Sequence, residues 1–531
     1  MKKSILLFLW IILIAPLTGQ DQPNVLLIIA DDLGVDRLNG YHTGEGLAAT
    51  PTLDSLRAVG LTFTNAWAAP VCSPSRAALM TGQYGVNNGV EGVPGNLSVF
   101  LPSLFREIDV ATNNAYATAL IGKWHLTQRA SANDPLAFGM DHYDGFLSGS
   151  VGDYFSWPRT RSGSTSTSTE YASAALTNAA TEWVSERHQP WFLWLAHGTP
   201  HTPYHIPPAG TFSVANTADN TGKYLAMIEN LDHEIGSLLN GLTEEERANT
   251  LVIFVGDNGT PGNVLKDYPD RRGKGSLYQG GLRVPFILAG AGITRKGERE
   301  DGLVNIVDLH ATILSVVGAE LAGGLQNSFD FSGLLTDGTA TTRPFNYIDL
   351  VNTNGNARSG YAIRNDDYKL IQFDDGGQEF YAVSTDSFET NDLINSLTPA
   401  TSDILSELLA EGEAIRNGWS CNDLIQNGDE TGIDCGTSAC GSCTTSTLAP
   451  AEHTMLRLYP NPTNDLLTLF SEKALINYVE VCDAAGQFFF KQKAGYSQSL
   501  KLDLGSLPAG VYSVGVRFSS GAWQTHRVVR R

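Results

Sequence analysis

The sequence predicts an α/β fold: a mostly parallel (mixed) central sheet flanked by helices, then a smaller antiparallel-sheet C-terminal subdomain and an appended all-β sandwich domain. Three observations carry this. Five apolar runs are continuous rather than alternating, as strands buried on both faces are. Helix-spaced segments separate several of them, the pattern of parallel crossover units. Charged or amide residues, or histidines, follow four of the runs, at the strand ends where an open α/β sheet forms its ligand crevice.

A chain of 531 residues exceeds one ordinary domain. The expected divisions are 1–20, 21–339, 340–417, 418–448 and 449–531. With 42% apolar and 17% charged residues, the composition is globular. A net charge of −21 argues against nucleic acid and anionic membranes as partners. An anionic substrate would therefore need a local basic pocket. Lys2 and Lys3 precede an apolar run over 5–17 and the small residues Thr18 and Gly19. This reads as a secretory signal peptide, too short for a membrane span, and no other run is long enough to cross a bilayer. Cys72 and Cys482 stand alone, whereas Cys421, Cys435, Cys440 and Cys443 cluster. In an exported chain the cluster reads first as two disulfides, with a zinc site at Cys440-x-x-Cys443 as the alternative.

The first strand is Asn24-Val25-Leu26-Leu27-Ile28-Ile29-Ala30, stopped by Asp31-Asp32-Leu33-Gly34. A helix over 52–57 closes at Gly60, and a short strand over 61–65 leads to Val71-Cys72-Ser73-Pro74-Ser75-Arg76. Pro74 marks the start of a helix through Gly82. Cys72 is then expected just before the helix N-terminus, where oriented N–H groups favour negative charge, with Arg76 able to reach back to the same anion. Alone, such a segment reads first as a small buried thiol. The second strand, 117–121, runs into Gly122-Lys123-Trp124-His125, and the third, 191–196, into His197-Gly198-Thr199-Pro200-His201. Helices are expected over 171–187 and 224–239, the latter apolar at Leu225, Ile228, Leu231, Ile235 and Leu238. The fourth strand, 251–255, ends in Gly256-Asp257-Asn258-Gly259, and 284–289 is a fifth. The Ser/Thr tract 162–169 reads as a flexible surface loop. Short strands over 346–350, 359–364, 368–373 and 379–383 suggest the antiparallel sheet, followed by a helix over 402–417. Residues 418–448 are a Cys-rich linker, and recurring short strands after 455 read as the sandwich.

Asp31, Asp32, Asp257 and Asn258 offer only oxygen ligands, which suit calcium or magnesium. Each pair alone could be a turn or cap. Together they point to a metal, because adjacent carboxylates repel unless a cation joins them. Lys123 and His125 share a face if the backbone is extended, leaving Trp124 to pack away. His201 sits in a proline-rich loop, with His197 and His205 as competitors for its part. Lys274 lies in a glycine-flanked basic loop, Arg271-Arg272-Gly273-Lys274-Gly275. Brought together, Arg76, Lys123, Lys274, two histidines and a metal would hold a sulfate or phosphate ester.

These segments resemble the formylglycine-dependent sulfatases of the alkaline phosphatase superfamily. Cys72-Ser73-Pro74-Ser75-Arg76 through Gly82 resembles the family's first signature and Gly122-Lys123-Trp124-His125 its second. The segments 24–34, Pro200-His201-Thr202-Pro203, Asp257-Asn258-Gly259 and 274–285 match further family segments in order, over roughly residues 21–415. The resemblance implies that a maturation enzyme oxidises Cys72 to formylglycine, whose hydrate attacks sulfur. After the alcohol leaves, the second hydroxyl expels sulfate. It implies His125 as the base for that expulsion, His201 as proton donor to the leaving alcohol, Lys274 near the bridging oxygen and Lys123 on the sulfate. Calcium, rather than magnesium, would be held by Asp31, Asp32, Asp257, Asn258 and the oxygen formed at Cys72. Gln279 departs from the glutamate more common in the family, which would remove a charge near the pocket.

Leu458-Tyr459-Pro460-Asn461-Pro462, the segment 504–512 and the basic end resemble the C-terminal sorting domain of type IX secretion in Bacteroidetes. The expected protein is a secreted or cell-surface hydrolase of sulfated carbohydrate or another sulfate ester. Phosphate or phosphonate ester hydrolysis and non-catalytic binding of sulfated glycans are the alternatives.

Overall fold

The computed structural model describes residues 22–417, except 100, 128–130, 132–133, 320–326, 341 and 353–357, and residues 456–531, except 460–462, 464, 472–474, 484–487 and 519–522. The segments expected as signal peptide and as Cys-rich linker, the latter with four cysteines, and the expected Pro460-Asn461-Pro462 turn lie outside the described residues.

Ten strands form the main sheet: β1 (Asn24–Ala30), β2 (Leu61–Trp67), β3 (Ala117–Lys123), β4 (His142–Phe146), β5 (Trp157–Arg161), β6 (Ser164–Ser168), β7 (Trp191–Ala196), β8 (Thr250–Gly256), β9 (Phe286–Gly290) and β10 (Glu298–Asn305). Their spatial order is β10-β2-β9-β8-β1-β7-β3-β4-β5-β6. The five central strands, β8, β1, β7, β3 and β4, are mutually parallel. β9 runs against both its neighbours, so the sheet is mixed. Register then positions the site. Ala30 pairs with Gly256, while Ile29 and Gly122 both pair with Ala196. The residues that follow β1, β8 and β7, and Lys123 at the end of β3, therefore emerge along one edge.

The continuous apolar runs have a direct cause. Val25, Leu27 and Ile29 enter one core with Ala77, Leu79 and Met80 of helix α2 (Cys72–Thr81). Leu26 and Ile28 enter another with Leu176, Leu231 and Ile235, from helices Ala172–Ser185 and Asn220–Gly241. Both faces of β1 are dry, and each fully buried leucine or isoleucine contributes about 1.5–3 kcal/mol.

The Ser/Thr tract is not a flexible loop. Ser164–Ser168 is strand β6, paired with β5 from Trp157↔Ser168 to Arg161↔Ser164. Ser162 and Gly163 make the turn, both at positive φ (51° and 74°), as a tight hairpin turn requires. β4 and β10 carry too many polar residues to be read as strands. Asp144 on β4 is buried against Arg159 and Arg161 of β5, both at 2.7 Å, and β10 is an edge strand whose polar first half is exposed and whose last three residues are buried.

The second sheet contains β11 (Asn346–Leu350), β12 (Gly360–Arg364), β13 (Lys369–Phe373) and β14 (Gln378–Tyr381), all antiparallel in that order. Tyr347, Ile363, Leu370 and Phe380 share the core that contains Ala77 and Leu79, so this sheet is a further layer on the same core. The helix beside it is Pro399–Arg416, longer than expected, because Thr398 and Thr401 form a capping box with proline at the first turn. The tail has a three-stranded and a four-stranded antiparallel sheet sharing one apolar cluster, which is a β-sandwich. Among the described residues, no helix is long and apolar enough to cross a membrane.

Asp349 on β11 joins the second sheet to the α2 region by accepting the Val86 N–H at 3.0 Å. Burial pushes its carboxyl up to about 7, against that hydrogen bond. The folded chain therefore keeps a proton that the unfolded chain releases near its ordinary value of 3.8. The resulting stabilisation is full below that value and is lost as pH rises through about 7. The melting temperature of the wild type is expected to fall more steeply than that of Asp349→Asn between about pH 4 and 7. Parallel curves would show that this carboxyl does not titrate there.

Candidate active site

The site is assembled on the buried start of α2. Cys72 is the first residue of that helix, not the residue before it, with extended Val71 as N-cap. Pro74 still falls in the first turn. Ser73 Oγ donates to the His125 carbonyl at 2.8 Å and Ser75 Oγ to the Asp257 carbonyl, tying the helix start to two strand ends. These serines carry no sequence signal of that task.

Three carboxylates emerge side by side, and each meets one basic side chain. Asp31 Oδ2 lies 2.6 Å from Lys123 Nζ, Asp32 Oδ1 2.5 Å from Lys274 Nζ, and Asp257 Oδ2 2.8 Å from Arg76 Nη2. Arg76 also donates to the Lys123 carbonyl at 3.1 Å. Its guanidinium thus clamps the ends of β3 and β8, rather than reaching freely toward an anion beside Cys72. Burial works against the Asp31 carboxylate, but Lys123, with His201, Arg76 and Lys274 beyond, holds it well below the usual range. Burial and the neighbouring Asp31 charge push Asp257 up, against Arg76. Asp257 Oδ1 also accepts the Asp32 N–H at 3.1 Å.

Lys123 and His125 both reach the site, but not through an extended chain. His125 has φ of 51°, so the backbone turns after Trp124, which packs on Phe138 with ring centroids 5.0 Å apart. The His125 imidazole lies under Gly149: a Cβ there would stand 2.6 Å from its Nε2, so a larger residue would press the ring aside. Burial, with Lys123 and Arg76 nearby, pushes His125 far below its ordinary value, leaving it neutral. Lys274 is brought in by Gly273, where a Cβ would stand 2.4 Å from the Thr260 carbonyl, and its Nζ is 3.7 Å from Cys72 Sγ.

A cavity of about 280 Å³ opens here, lined by Val71, Cys72, Val93, His125, Ser148, Gly149, Ser150, His201 and Lys274. The three candidate histidines of the third strand end separate clearly. His201 lines the cavity, with Nε2 3.7 Å from Asp32 Oδ2. His197 is wholly buried, its ring nitrogens without a hydrogen-bond partner among the described residues, and burial pulls it down to about 4. His205 stacks on Tyr154 and meets the Tyr171 hydroxyl at 3.0 Å. The segment 148–150 carries no sequence signal of its place here, because the polar strand before it does not read as a strand. Tyr41 bonds the backbone of Phe286 and takes no part in the cavity lining. Gln279 is likewise absent from the lining. Its Oε1 accepts Trp67 Nε1 at 2.9 Å and its N–H meets the buried Glu389 carboxylate at 2.6 Å.

Asp31, Asp32, Cys72 and His201 each offer a ligand atom within 4.8 Å of the others. This set shares three members with the expected metal ligands and adds His201. Asp257 is outside it, one oxygen being bonded to Arg76. Asn258 donates to Asp32 Oδ1 at 2.9 Å, while its buried Oδ1 has no partner among the described residues. An orphaned amide oxygen beside crowded carboxylates fits a hard cation. Burial pushes the Cys72 thiol well above its ordinary value despite Lys123 and Lys274, which disfavours a thiolate.

Residues 23–319 match the sulfatase family model, residues 270–417 the C-terminal model of N-sulphoglucosamine sulphohydrolase, and residues 457–530 the secretion system C-terminal sorting domain. Arylsulfatase J of Mus musculus is 29% identical over 385 residues, covering 65% of this chain and 62% of that protein. The human N-acetylgalactosamine-6-sulfatase is 30% identical over 346 residues, 56% of this chain and 62% of its own. The chain thus spans under two thirds of the length of these relatives. A sulfatase of Formosa agariphila is 26% identical over 446 residues, covering 70% of this chain and 82% of that one. Among solved structures, Ps i-CgsB in complex with k-i-k-neocarrahexaose is 25% identical with a TM-score of 0.65, covering 75% of this chain and 95% of its own. The fold is also that of BT4656 in complex with D-glucosamine-2-N,6-O-disulfate, at a TM-score of 0.64 and 20% identity over 76% of this chain and 99% of that one. With the family model matching more than half its length, the chain belongs to the sulfatase family of the alkaline phosphatase superfamily and carries a secretion sorting domain at its C-terminus.

Proposed function

We propose that this protein hydrolyses sulfate esters of carbohydrate after Cys72 has been converted to formylglycine. The observation that carries the reading is the convergence of residue 72, on a helix N-terminus, with three carboxylate–cation pairs, beside a cavity lined by Cys72, Lys274 and two histidines. The three acidic and three basic groups balance, so the site can take a divalent cation and an anionic ester together. Asp31, Asp32, Asp257, Asn258 and the oxygen formed at residue 72 would hold calcium, with His201 close by. When bound, calcium polarises the sulfate oxygens and favours the ionised nucleophile.

The chain's own residues then have separable tasks. The hydrated aldehyde at residue 72 presents the attacking oxygen toward the cavity. Lys123 and Lys274 supply positive charge to the sulfate oxygens, and Arg76 holds Asp257 and the end of β3 in place. His125 lines the cavity with its Nδ1 unbonded among the described residues, a position from which it can accept a proton. His201 is placed at the cavity to donate a proton to the departing alcohol, with Lys274 beside it. Sulfated carbohydrate as substrate is supported by relatives named for a sulfated amino sugar and by a neighbour solved with a neocarrahexaose. The sorting domain supports export by a type IX route to the medium or cell surface, preceded by a signal peptide over 1–20. The unit boundaries 21–339, 340–417, 418–448 and 449–531 are part of this proposal.

Cys72→Ala is expected to lower turnover by about 10³-fold or more with little change in melting temperature. Cys72→Ser is expected to fail as well, unless the host oxidises serine. Near-normal sulfate release from Cys72→Ala would overturn the mechanism. Removing metal with a chelator is expected to abolish activity, and calcium is expected to restore it to the wild type but not to Asp32→Asn. Matched aryl sulfate and phosphate substrates separate the ester classes: a strong phosphate preference would replace this reading with phosphate or phosphonate ester hydrolysis. Binding of sulfated glycans with Cys72 still an unmodified thiol in the native protein would favour a non-catalytic role.

A further inference from the structure

Tyr154 lies between β4 and β5 with its side chain turned inward, only 3% exposed. Its ring stacks on His205 at 4.3 Å, and its own carbonyl accepts the Ala172 N–H at 2.8 Å, fixing it to the helix Ala172–Ser185. Its hydroxyl meets two backbone carbonyls, that of Gly198 and, at 2.8 Å, that of His201. The His201 N–H donates to the same Gly198 carbonyl at 3.1 Å. One phenol proton is therefore shared by the two ends of the turn from which the His201 imidazole projects. The phenol stays protonated, because burial, with Asp31 nearby, pushes it well above its ordinary value.

The hydroxyl bonds the backbone of the turn, and the His201 ring has contacts of its own. Its Nδ1 faces the Thr202 carbonyl at 2.8 Å, a contact within the turn itself, and its Nε2 is 3.7 Å from Asp32 Oδ2. The imidazole is thus placed by where the turn sits, and the hydroxyl of Tyr154 ties the turn to the scaffold. We propose that Tyr154 is a positioning residue that holds the 198–201 turn so that His201 meets the leaving oxygen of the ester. The inference rests on the reading of His201 as proton donor to that oxygen. A displacement of about 1 Å at such a donor can cost up to about 10²-fold in rate, and the loss falls on esters whose alcohol most needs the proton.

The test uses matured, calcium-loaded enzyme and aryl sulfates whose phenols span a range of basicity. Tyr154→Phe removes one oxygen and keeps the stacking ring, and the Gly198 carbonyl retains its bond from the His201 N–H. Thermal melting checks that the variant is folded. Tyr154→Phe is expected to lower kcat about tenfold for phenyl sulfate, but less than about twofold for 4-nitrophenyl sulfate, with KM nearly unchanged. His201→Ala is expected to show the same selectivity more strongly, and Tyr154→Phe is expected to add nothing in the His201→Ala background. An equal loss on all phenols, no loss at all, or a full additional loss in the double variant would overturn the inference. If His201→Ala alone leaves the dependence on the phenol unchanged, the donor reading of His201 falls and takes this one with it. The single His201 variant therefore tells the two failures apart.

Discussion

Three carboxylates stand side by side in a dry site, and the architecture around them answers that crowding. Asp31, Asp32 and Asp257 are there because parallel strands in matched register end together. Lys123, Lys274 and Arg76 come from three other parts of the chain, and each neutralises one acid. Such pairs are a poor way to gain stability, since each buried ion forfeits several kcal/mol of hydration. Their persistence is better explained by the proposed reaction. An arrangement of balanced, fixed charges can accept a cation and an anion together without rebuilding itself.

The pairs also organise the polypeptide. Arg76 is on α2, yet its bonds run to Asp257 and to the Lys123 carbonyl, so it joins the helix that carries Cys72 to two strands. Ser73 and Ser75 add two further ties from the same turn. Residue 72 is thereby fixed relative to the carboxylates, which matters because reacting groups must be held within fractions of an ångström. The net charge of −21 does not contradict an anionic substrate, since the local field is set by these buried groups and not by the distant surface.

Much of this was legible in the sequence for a physical reason. Strands dry on both faces must be continuously apolar, so β1 and β7 could be bounded to the residue, and polar residues right after them had to lie at the sheet edge. What stayed hidden depends on contacts remote in sequence. His125 reaches the cavity through a left-handed backbone under Gly149, not through strand alternation, and only the packed structure reveals that turn. Asp144 makes β4 look polar until Arg159 and Arg161 arrive from β5. The same blindness concealed the segment 148–150 and the inward turn of Tyr154. The Ser/Thr tract misled because its residues suit an exposed hairpin as well as a loop.

The secretion sorting domain and the sulfatase-family scaffold have separate apolar clusters, as separate domains do. Everything proposed for the enzyme turns on residue 72 as an aldehyde precursor. The most direct measurement is mass spectrometry of the peptide containing residue 72, across preparations matured to different extents, set against their rates of sulfate release. Activity is expected to rise in proportion to the aldehyde fraction and to vanish where only cysteine is found. Full activity in protein whose residue 72 is entirely unmodified thiol would contradict it.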